Sequence, residues 1–145
     1  MKNCVYCTLP AFKERMIVEN ELAWACPTNI PITPGHTLIG PKRCVANYEE
    51  LTLGEREAIE DLRVKIVHAL KKLFNAEGFN FAWNVGKLAG QSVPHFHLHV
   101  VPRTEGDTGI YEYEPRKFLY RPGSREDSPE AELLKVRDVI REALK

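Results

Sequence analysis

The chain has 145 residues, 43% hydrophobic and 28% charged, as expected for a single globular domain with a real core. Its 20 Lys and Arg balance 20 Asp and Glu, which argues against nucleic acid or a membrane surface as a partner. No apolar run reaches the roughly 18 residues of a membrane span, and Met1-Lys2-Asn3-Cys4 does not open a signal peptide, so we expect a cytoplasmic protein.

The first chemical signal is the pair Cys4 and Cys7, whose C-x-x-C spacing is that of half a zinc site. Cytoplasmic cysteines stay reduced, which favours metal binding over disulfides. A redox motif is disfavoured because no βαβ pattern surrounds the pair. The pair alone leaves open a metal site or two unrelated surface cysteines.

Short strands are predicted after this pair, near residues 15–19 and 22–26. Three prolines between positions 27 and 34 then predict a loop, since proline fixes φ and has no N–H to donate. A third strand is predicted over 36–41. A lone histidine at its start, His36, would by itself be typical of a structural residue.

A long amphipathic helix is predicted over 53–76. Thr52 and Glu55 have the spacing of a capping box at its start, and Gly78 is expected to end it. Its buried stripe is formed by apolar residues at helical spacing, namely Ile59, Leu62, Ile66, Ala69, Leu70 and Leu73.

A fourth strand is predicted over 79–85, and a loop with two glycines, 86–92, follows it. Glycine lets backbone N–H groups approach an anion closely, so this loop is a candidate phosphate cradle. After residue 103 the chain becomes polar and rich in Gly and Pro, which predicts an irregular arm over 104–127. Ser128 and Pro129 then suit the start of a final helix.

Three of the five histidines, His95, His97 and His99, fall at every second position of the segment between Pro94 and Pro102. A strand over 95–102 would place all three on one face, with Phe96, Leu98 and Val100 on the other. Aligned imidazoles either ligate a metal, or one of them acts as a nucleophile or acid/base while its neighbours orient it. The spacing does not decide between these.

The segment His95 to Val101 matches the pattern His-φ-His-φ-His-φ-φ, where φ is apolar, and resembles the histidine triad family of nucleotide hydrolases and transferases. Residues 89–93, Ala-Gly-Gln-Ser-Val, precede it as in many members, and Asn84 lies where the family has Asn or Gln. Gly35-His36 enters a strand that ends in Pro41-Lys42, as in the family's other marker. The resemblance covers roughly residues 4–105.

The resemblance implies an α+β fold, in which a five-stranded antiparallel sheet carries one long helix and two chains form a homodimer. We therefore expect a triad domain over 1–105, with a C-terminal arm and helix over 106–145 packed on the same domain. The strands and helix predicted from the residues agree with this architecture.

The implied activity is hydrolysis at the α-phosphate of a dinucleoside polyphosphate or a nucleoside phosphoramidate. His97 would attack phosphorus to form a covalent nucleotidyl-histidine, and water would then release the nucleoside monophosphate. His99 would contact the phosphate and leaving group, and His36 would steady the triad. The implied ligands of a purine, in particular adenylyl, nucleotide are Thr28, Asn29, Asn84, Gly90, Gln91, Ser92 and Val93.

Family members with an N-terminal C-x-x-C often hold a structural zinc ion, with a histidine just after the Pro-Lys strand among the ligands. Here Cys44 occupies that position, so the resemblance implies a zinc site made of Cys4, Cys7, Cys44 and His95. At the position where many members place an Asp or Asn on the ribose, this chain has Thr28, with Asn29 one residue off register.

Two alternatives remain. In one, the three triad histidines bind a catalytic metal and the protein is a metal-dependent hydrolase, whereas the triad mechanism needs no catalytic metal. In the other, the protein binds nucleotides without turning them over. Loss of turnover on chelation would favour the first of these.

Overall fold

The structure is a computed structural model and describes residues 4–8 and 10–107, together with Ala131, Leu134, Arg137, Asp138 and Arg141. The chain divides into two compact units, Met1–Gly109 and Ile110–Lys145. The five described residues of the second unit are helical. The start of the final helix at Ser128 and most of the arm over 104–127 lie outside the described residues.

The first unit has the predicted α+β fold, with five strands in one antiparallel sheet. The strands are β1 (Val18–Glu19), β2 (Ala23–Pro27), β3 (Thr37–Pro41), β4 (Gly78–Ala82) and β5 (Leu98–Arg103), in the spatial order β1-β2-β3-β5-β4. The helices are α1 (Val5–Thr8), α2 (Pro10–Glu14) and α3 (Leu53–Phe74), with 3-10 turns at Tyr48–Glu50 and Lys87–Ala89.

The long helix α3 starts where its capping box predicts. The Thr52 hydroxyl accepts from the Glu55 N–H at 3.2 Å, and the Glu55 carboxylate accepts from the Thr52 N–H at 2.8 Å. Its end was predicted wrongly: Asn75, in the left-handed conformation at φ 51°, terminates the helix, whereas Gly78 begins β4. Asparagine tolerates this conformation because its short polar side chain is compatible with it.

Four of the residues predicted for the buried stripe, Ile59, Leu62, Ile66 and Leu70, are in the core, and Ala69 is half-buried. Leu73 was assigned to the stripe wrongly, because it lies in the last turn and remains 71% exposed. No helix among the described residues has the length and apolar character needed to cross a membrane.

Several strands differ from their predicted limits. β1 is only two residues long, and β4 ends at Ala82 rather than at 85. The pairing of β5 starts at Leu98 rather than at 95, because the Phe96 N–H donates to the carbonyl of Val45 at 2.6 Å instead of to β3. His36 likewise precedes β3.

The two faces of the sheet have different roles. One packs against α3 in the main core, where Ile39 and Val100 of the sheet cluster with Leu62 of the helix. The other carries a smaller cluster in which Trp24, Cys26 and Leu38 are buried under Tyr6, Phe12 and Met16. The N-terminal segment therefore covers part of the sheet face that α3 leaves open.

Candidate active site and metal cluster

The triad segment alternates between the two sheet faces as predicted, although its first two histidines precede the paired part of β5. Phe96, Leu98 and Val100 all belong to the core under α3. The rings of His95 and His97 instead pack edge-on against Tyr6, on the opposite face. Period-two alternation thus extends beyond the hydrogen-bonded strand, because the backbone stays extended there.

A cluster of four ligand-type side chains lies at the N-terminal end of this segment. Cys4, Cys7, Cys44 and His95 each offer one ligand atom, and these atoms lie within 4.8 Å of one another. The Nδ1 atom of His95 is 3.2 Å from Sγ of Cys4 and 3.6 Å from Sγ of Cys7. Three thiols and one imidazole are the donor set of a structural zinc site, so these residues fit that ion.

His95 is fixed from its other nitrogen. Its Nε2 lies 2.8 Å from the carbonyl oxygen of Pro41, a contact that requires Nε2–H to donate. The same oxygen accepts from Nε1 of Trp24 at 2.8 Å. The lone pair of His95 is therefore on Nδ1, directed at the cysteines, which is how carbonyl groups commonly orient metal-binding histidines.

The cluster resists thiolate formation in the absence of a cation. Burial, followed by hydrogen bonding to Cys4 and Cys44, raises the pKa of Cys7 to about 12. Burial is also the main cause of the raised pKa of Cys44. A bound cation would reverse this balance, because a coordinating thiol is deprotonated.

The His97 ring is anchored through Nδ1, whereas the His95 ring is anchored through Nε2. Nδ1 of His97 lies 2.8 Å from the carbonyl oxygen of His95, so Nδ1–H donates and the Nε2 lone pair remains available. The residue is 7% exposed, and burial lowers the pKa of its ring. A neutral imidazole with a free Nε2 is the form that a nucleophile requires.

His99 and His36 form a second imidazole pair. Nδ1 of His36 accepts the N–H of Ile32 at 3.1 Å, which places the ring proton of neutral His36 on Nε2. That Nε2 donates to Nδ1 of His99 at 2.9 Å. The neutral His99 ring consequently carries its proton on Nε2, where it is available to a ligand.

Burial keeps both rings of this pair uncharged near neutral pH. Desolvation lowers the pKa of His36 to about 4 and is also the largest cause of the lowering of the pKa of His99 to about 4. The direction follows from the cost of placing an imidazolium in a poorly solvated site. His36, which would be unremarkable by itself, thus belongs to the triad's hydrogen-bond chain.

The glycine-containing loop lies beside a cavity of about 510 Å³ lined by Lys87, Gly90, Gln91, Ser92 and Pro94. The side chain of Gln91 bridges two backbone groups, accepting from Gly86 N–H at 2.8 Å and donating to the carbonyl of Ala46 at 2.8 Å. Nδ2 of Asn84 lies 3.4 Å from the carbonyl of Gly90. Gln91 and Asn84 therefore shape this loop, while Ser92 is exposed at the cavity and Val93 is half-buried beside it.

Thr28 and Asn29 lie at the far end of β2. The N–H of Thr28 donates to the carbonyl of His36 at 3.2 Å, which ties this corner to the triad's hydrogen-bond chain. The two residues line a second cavity, of about 430 Å³, together with Arg15 and Pro27. Both sequence-predicted sugar ligands thus lie in one cavity.

Tyr6 is a functional candidate that the sequence analysis missed. Its ring contacts the rings of His95 and His97 at centroid distances of 5.5 and 5.4 Å, and burial raises its pKa to about 12. A signal was present, because Tyr6 lies inside the C-x-x-C pair. If Cys4 and Cys7 bind one ion with His95, the residues between them must lie close to the triad.

The chain is similar to known proteins over most of its length. The model of the HIT domain family matches residues 10–106. A bis(5'-adenosyl)-triphosphatase from Dictyostelium discoideum is 34% identical over 112 residues, which are 75% of this chain and 70% of the relative.

Two solved structures are similar to the fold. The crystal structure of a HIT family member from Bacillus subtilis has a TM-score of 0.75 at 27% identity, covering 97% of this chain and 96% of that one. A Zn-bound histidine triad family protein from Mycobacterium smegmatis has a TM-score of 0.67 at 30% identity, covering 81% and 87%. The chain belongs to the HIT domain family, as the triad segment predicts.

Proposed function

We propose that the protein hydrolyses a nucleotide at its α-phosphate, with His97 as the nucleophile. The lone pair on Nε2 of His97 attacks phosphorus, the bond from phosphorus to the leaving group breaks, and a nucleotidyl-histidine forms. Water then displaces the histidine and releases the nucleoside monophosphate. The observation that carries this proposal is the bond from Nδ1 of His97 to the carbonyl of His95, which leaves Nε2 free.

The class of enzyme is confirmed at the level of the family, because similar proteins of this family are named as a bis(5'-adenosyl)-triphosphatase and a bis(5'-nucleosyl)-tetraphosphatase. The leaving group of the present protein belongs to the proposal. Lys87 is the charged residue of the cavity beside the glycine loop. An ammonium group there favours a polyphosphate over an uncharged amine, since it offsets the charge of the departing chain.

The other imidazoles then have supporting roles in this proposal. His99, through Nε2–H, donates to the phosphate or to the departing oxygen, and His36 keeps that proton on the correct nitrogen. The N–H groups of Ser92 and Val93 hold the phosphoryl oxygens, whereas the Gly90 N–H donates to the carbonyl of Lys87 and shapes the loop. Catalysis is then mostly positioning and preorganised electrostatics, as is usual in phosphoryl transfer.

We further propose that the cluster Cys4, Cys7, Cys44 and His95 holds a structural zinc ion. The donor set and the anchored His95 support this assignment, and the similar protein from Mycobacterium smegmatis is described as Zn-bound. The ion would fix the N-terminal segment to the sheet. With four protein ligands it has no open position for a substrate, so it takes no part in the reaction.

The metal-dependent alternative is less compatible with the triad geometry. Nδ1 of His95 faces the cysteines, Nδ1 of His97 is bonded to a carbonyl, and Nδ1 of His99 is bonded to His36. Nε2 of His95 donates to the carbonyl of Pro41 and Nε2 of neutral His99 carries its proton, so only His97 offers a free lone pair on this atom. The three rings therefore do not share one ion. The non-catalytic alternative is tested by the measurement of turnover itself.

The experiment is to trap the intermediate. Wild-type protein is mixed with diadenosine triphosphate, quenched within milliseconds, and digested for mass spectrometry. We expect an adenylyl group on His97, absent from His97→Gly and present in His68→Ala, whose histidine is exposed on α3. Hydrolysis of comparable rate in His97→Gly would exclude His97 as the nucleophile. Parallel assays with adenosine 5'-phosphoramidate test the preferred leaving group.

We also propose that the protein is a homodimer formed through β4. This strand is at the edge of the sheet. Phe81 within it, and Trp83 and Val85 in the segment just after it, are 43%, 41% and 46% exposed. An exposed apolar edge strand is a template for pairing with another chain. Light scattering should give twice the mass of the chain, and Phe81→Lys should give a monomer. A wild-type monomer at micromolar concentration would refute the proposal.

A further inference from the structure

The cavity at the end of β2, which we call the Arg15 cavity, is lined by Arg15, Pro27, Thr28 and Asn29. Nη1 of Arg15 donates to Oδ1 of Asn29, so the guanidinium group is held at the mouth of the cavity, where both side chains are exposed. The amide Nδ2 of Asn29 has no partner within the part of the chain that the structure describes. The hydroxyl of Thr28 accepts the N–H of Ile30 at 3.4 Å and keeps its own hydrogen to donate.

The cavity lies on the same sheet face as the triad. Cys26 is opposite Leu38 in the β2–β3 pair, and Leu38 is opposite His99 in the β3–β5 pair, so these three share a face. Thr28 follows Cys26 by two positions and continues along this face. Its N–H bonds the carbonyl of His36, the residue that orients His99.

The chemistry of the lining favours an anion. Arg15, Thr28 and Asn29 all present hydrogen-bond donors, and none of the four lining residues is acidic. No carboxylate among residues 4–8 and 10–107 lies within ion-pair distance of Arg15. A ribose with free hydroxyls donates two hydrogens and is best bound by a carboxylate, which this cavity lacks. A phosphate accepts from all three donors.

We propose that the Arg15 cavity binds a phosphate group on the 2' or 3' oxygen of the ribose. The preferred substrate is then a nucleoside 5'-phosphoryl compound whose sugar carries this second phosphate. Dinucleotide-binding enzymes differ in the same way. Those that bind a free 2'-hydroxyl use a carboxylate, and those that bind a 2'-phosphate use a nearby arginine. This inference rests on the proposed function, because it assumes that a nucleotide occupies the triad face.

The test compares the binding of three ligands by calorimetry on the full-length protein. They are adenosine 5'-monophosphate, adenosine 2',5'-bisphosphate and adenosine 3',5'-bisphosphate. We expect one bisphosphate to bind at least about fivefold more tightly than the monophosphate, as for a single charge-assisted contact. Arg15→Gln should remove this preference. Lys13→Gln removes the same charge two residues away, from an exposed position in α2, and should keep it.

A second variant keeps the test informative if Arg15→Gln does not fold. Asn29→Asp places a carboxylate beside Arg15, which should pair with the guanidinium group and repel the phosphate, so the preference should fall to about one or below. Equal affinity for all three ligands in the wild type, or a preference that survives Arg15→Gln, would overturn the inference. Both of these outcomes presuppose that adenosine 5'-monophosphate still binds to the protein. Absence of any nucleotide binding would instead refute the proposed function, and this inference with it.

Discussion

His95 and His97 are two residues apart on the same sheet face, yet the structure anchors their rings through opposite nitrogens. His95 donates from Nε2 to the carbonyl of Pro41 and directs Nδ1 at three cysteines. His97 donates from Nδ1 to the carbonyl of His95 and keeps Nε2 free. The nitrogen that donates to a backbone carbonyl therefore determines the role that each imidazole can have. A carbonyl oxygen on one side selects the atom that faces a metal or a substrate on the other.

The largest expected effect separates the two histidines. His97→Ala should lower kcat on the order of 10⁴-fold or more, because it removes the proposed nucleophile, while monophosphate affinity stays within about tenfold, or about 1.4 kcal/mol. Its metal content, measured by atomic emission, should match wild type. His95→Ala should instead lose the metal. If both variants lost turnover and metal to the same extent, the division of tasks would be wrong.

The proposed zinc cluster of Cys4, Cys7, Cys44 and His95 is tested by Cys4→Ser. Removing one of four ligands should release the ion and lower Tm by on the order of 10 °C, because metal binding contributes directly to folding free energy. Cys26→Ala is the matched control, since Cys26 is a buried cysteine outside the cluster and its loss should leave metal content unchanged. Metal-free wild-type protein with unchanged Tm would contradict a structural role.

Tyr6 connects the two ends, because its ring contacts both His95 and His97. Tyr6→Ala should lower kcat about tenfold through loss of the edge-on support of His97, with little change in metal content. Tyr6→Phe keeps the ring and should retain nearly full activity, as measured by steady-state kinetics. A Phe variant as poor as the Ala variant would mean that the hydroxyl, rather than the ring, is what matters.

A further expected effect, confined to pH values below about 6.5, is a pH dependence of stability that arises from the second imidazole pair. Burial lowers the pKa of both His36 and His99 to about 4 from 6.5, so between these values the unfolded chain binds more protons. The free energy of unfolding should therefore fall as pH drops from 6.5 to 4, by up to about 1.4 kcal/mol per pH unit for each histidine.

Urea unfolding at several pH values measures the slope of the free energy of unfolding against pH. His36→Gln should reduce this slope by at least the contribution of one histidine. His68→Gln is the control, because His68 is exposed on α3. An NMR titration of the His36 ring that shows a midpoint near 6.5 would contradict the expected slope.

Local signals were sufficient for much of the fold. The capping box of Thr52 and Glu55 fixed the start of α3, and the alternation around Phe96, Leu98 and Val100 identified the buried face of the triad segment. Strand ends were less predictable, because they depend on distant partners. The pairing of β5 begins at Leu98 only because Val45 takes the N–H of Phe96.

The candidate site shows the same division. Cys4, Cys7, Cys44 and His95 could be proposed as one cluster from the family resemblance, and the structure brings them together. The position of Tyr6 inside the C-x-x-C pair indicated that it lies near the triad, but its ring contact with His97 was not predictable. The bridging of the loop by Gln91 was not predictable either, because each contact requires the position of a ring or backbone group far along the chain. Nor was the hydrogen bond between Arg15 and Asn29 predictable, because fourteen positions of the chain separate the two residues.

The sequence by itself determined the fold class, the family and most of the candidate site residues, because periodicity, caps and a three-histidine motif are local properties. Only the tertiary structure decided which nitrogen of each histidine is anchored and which is free. For His95 and His99 that choice depends on Pro41 and His36, which are more than fifty residues away along the chain. A hydrogen bond depends on distance and angle in space, and neither can be inferred from sequence spacing alone.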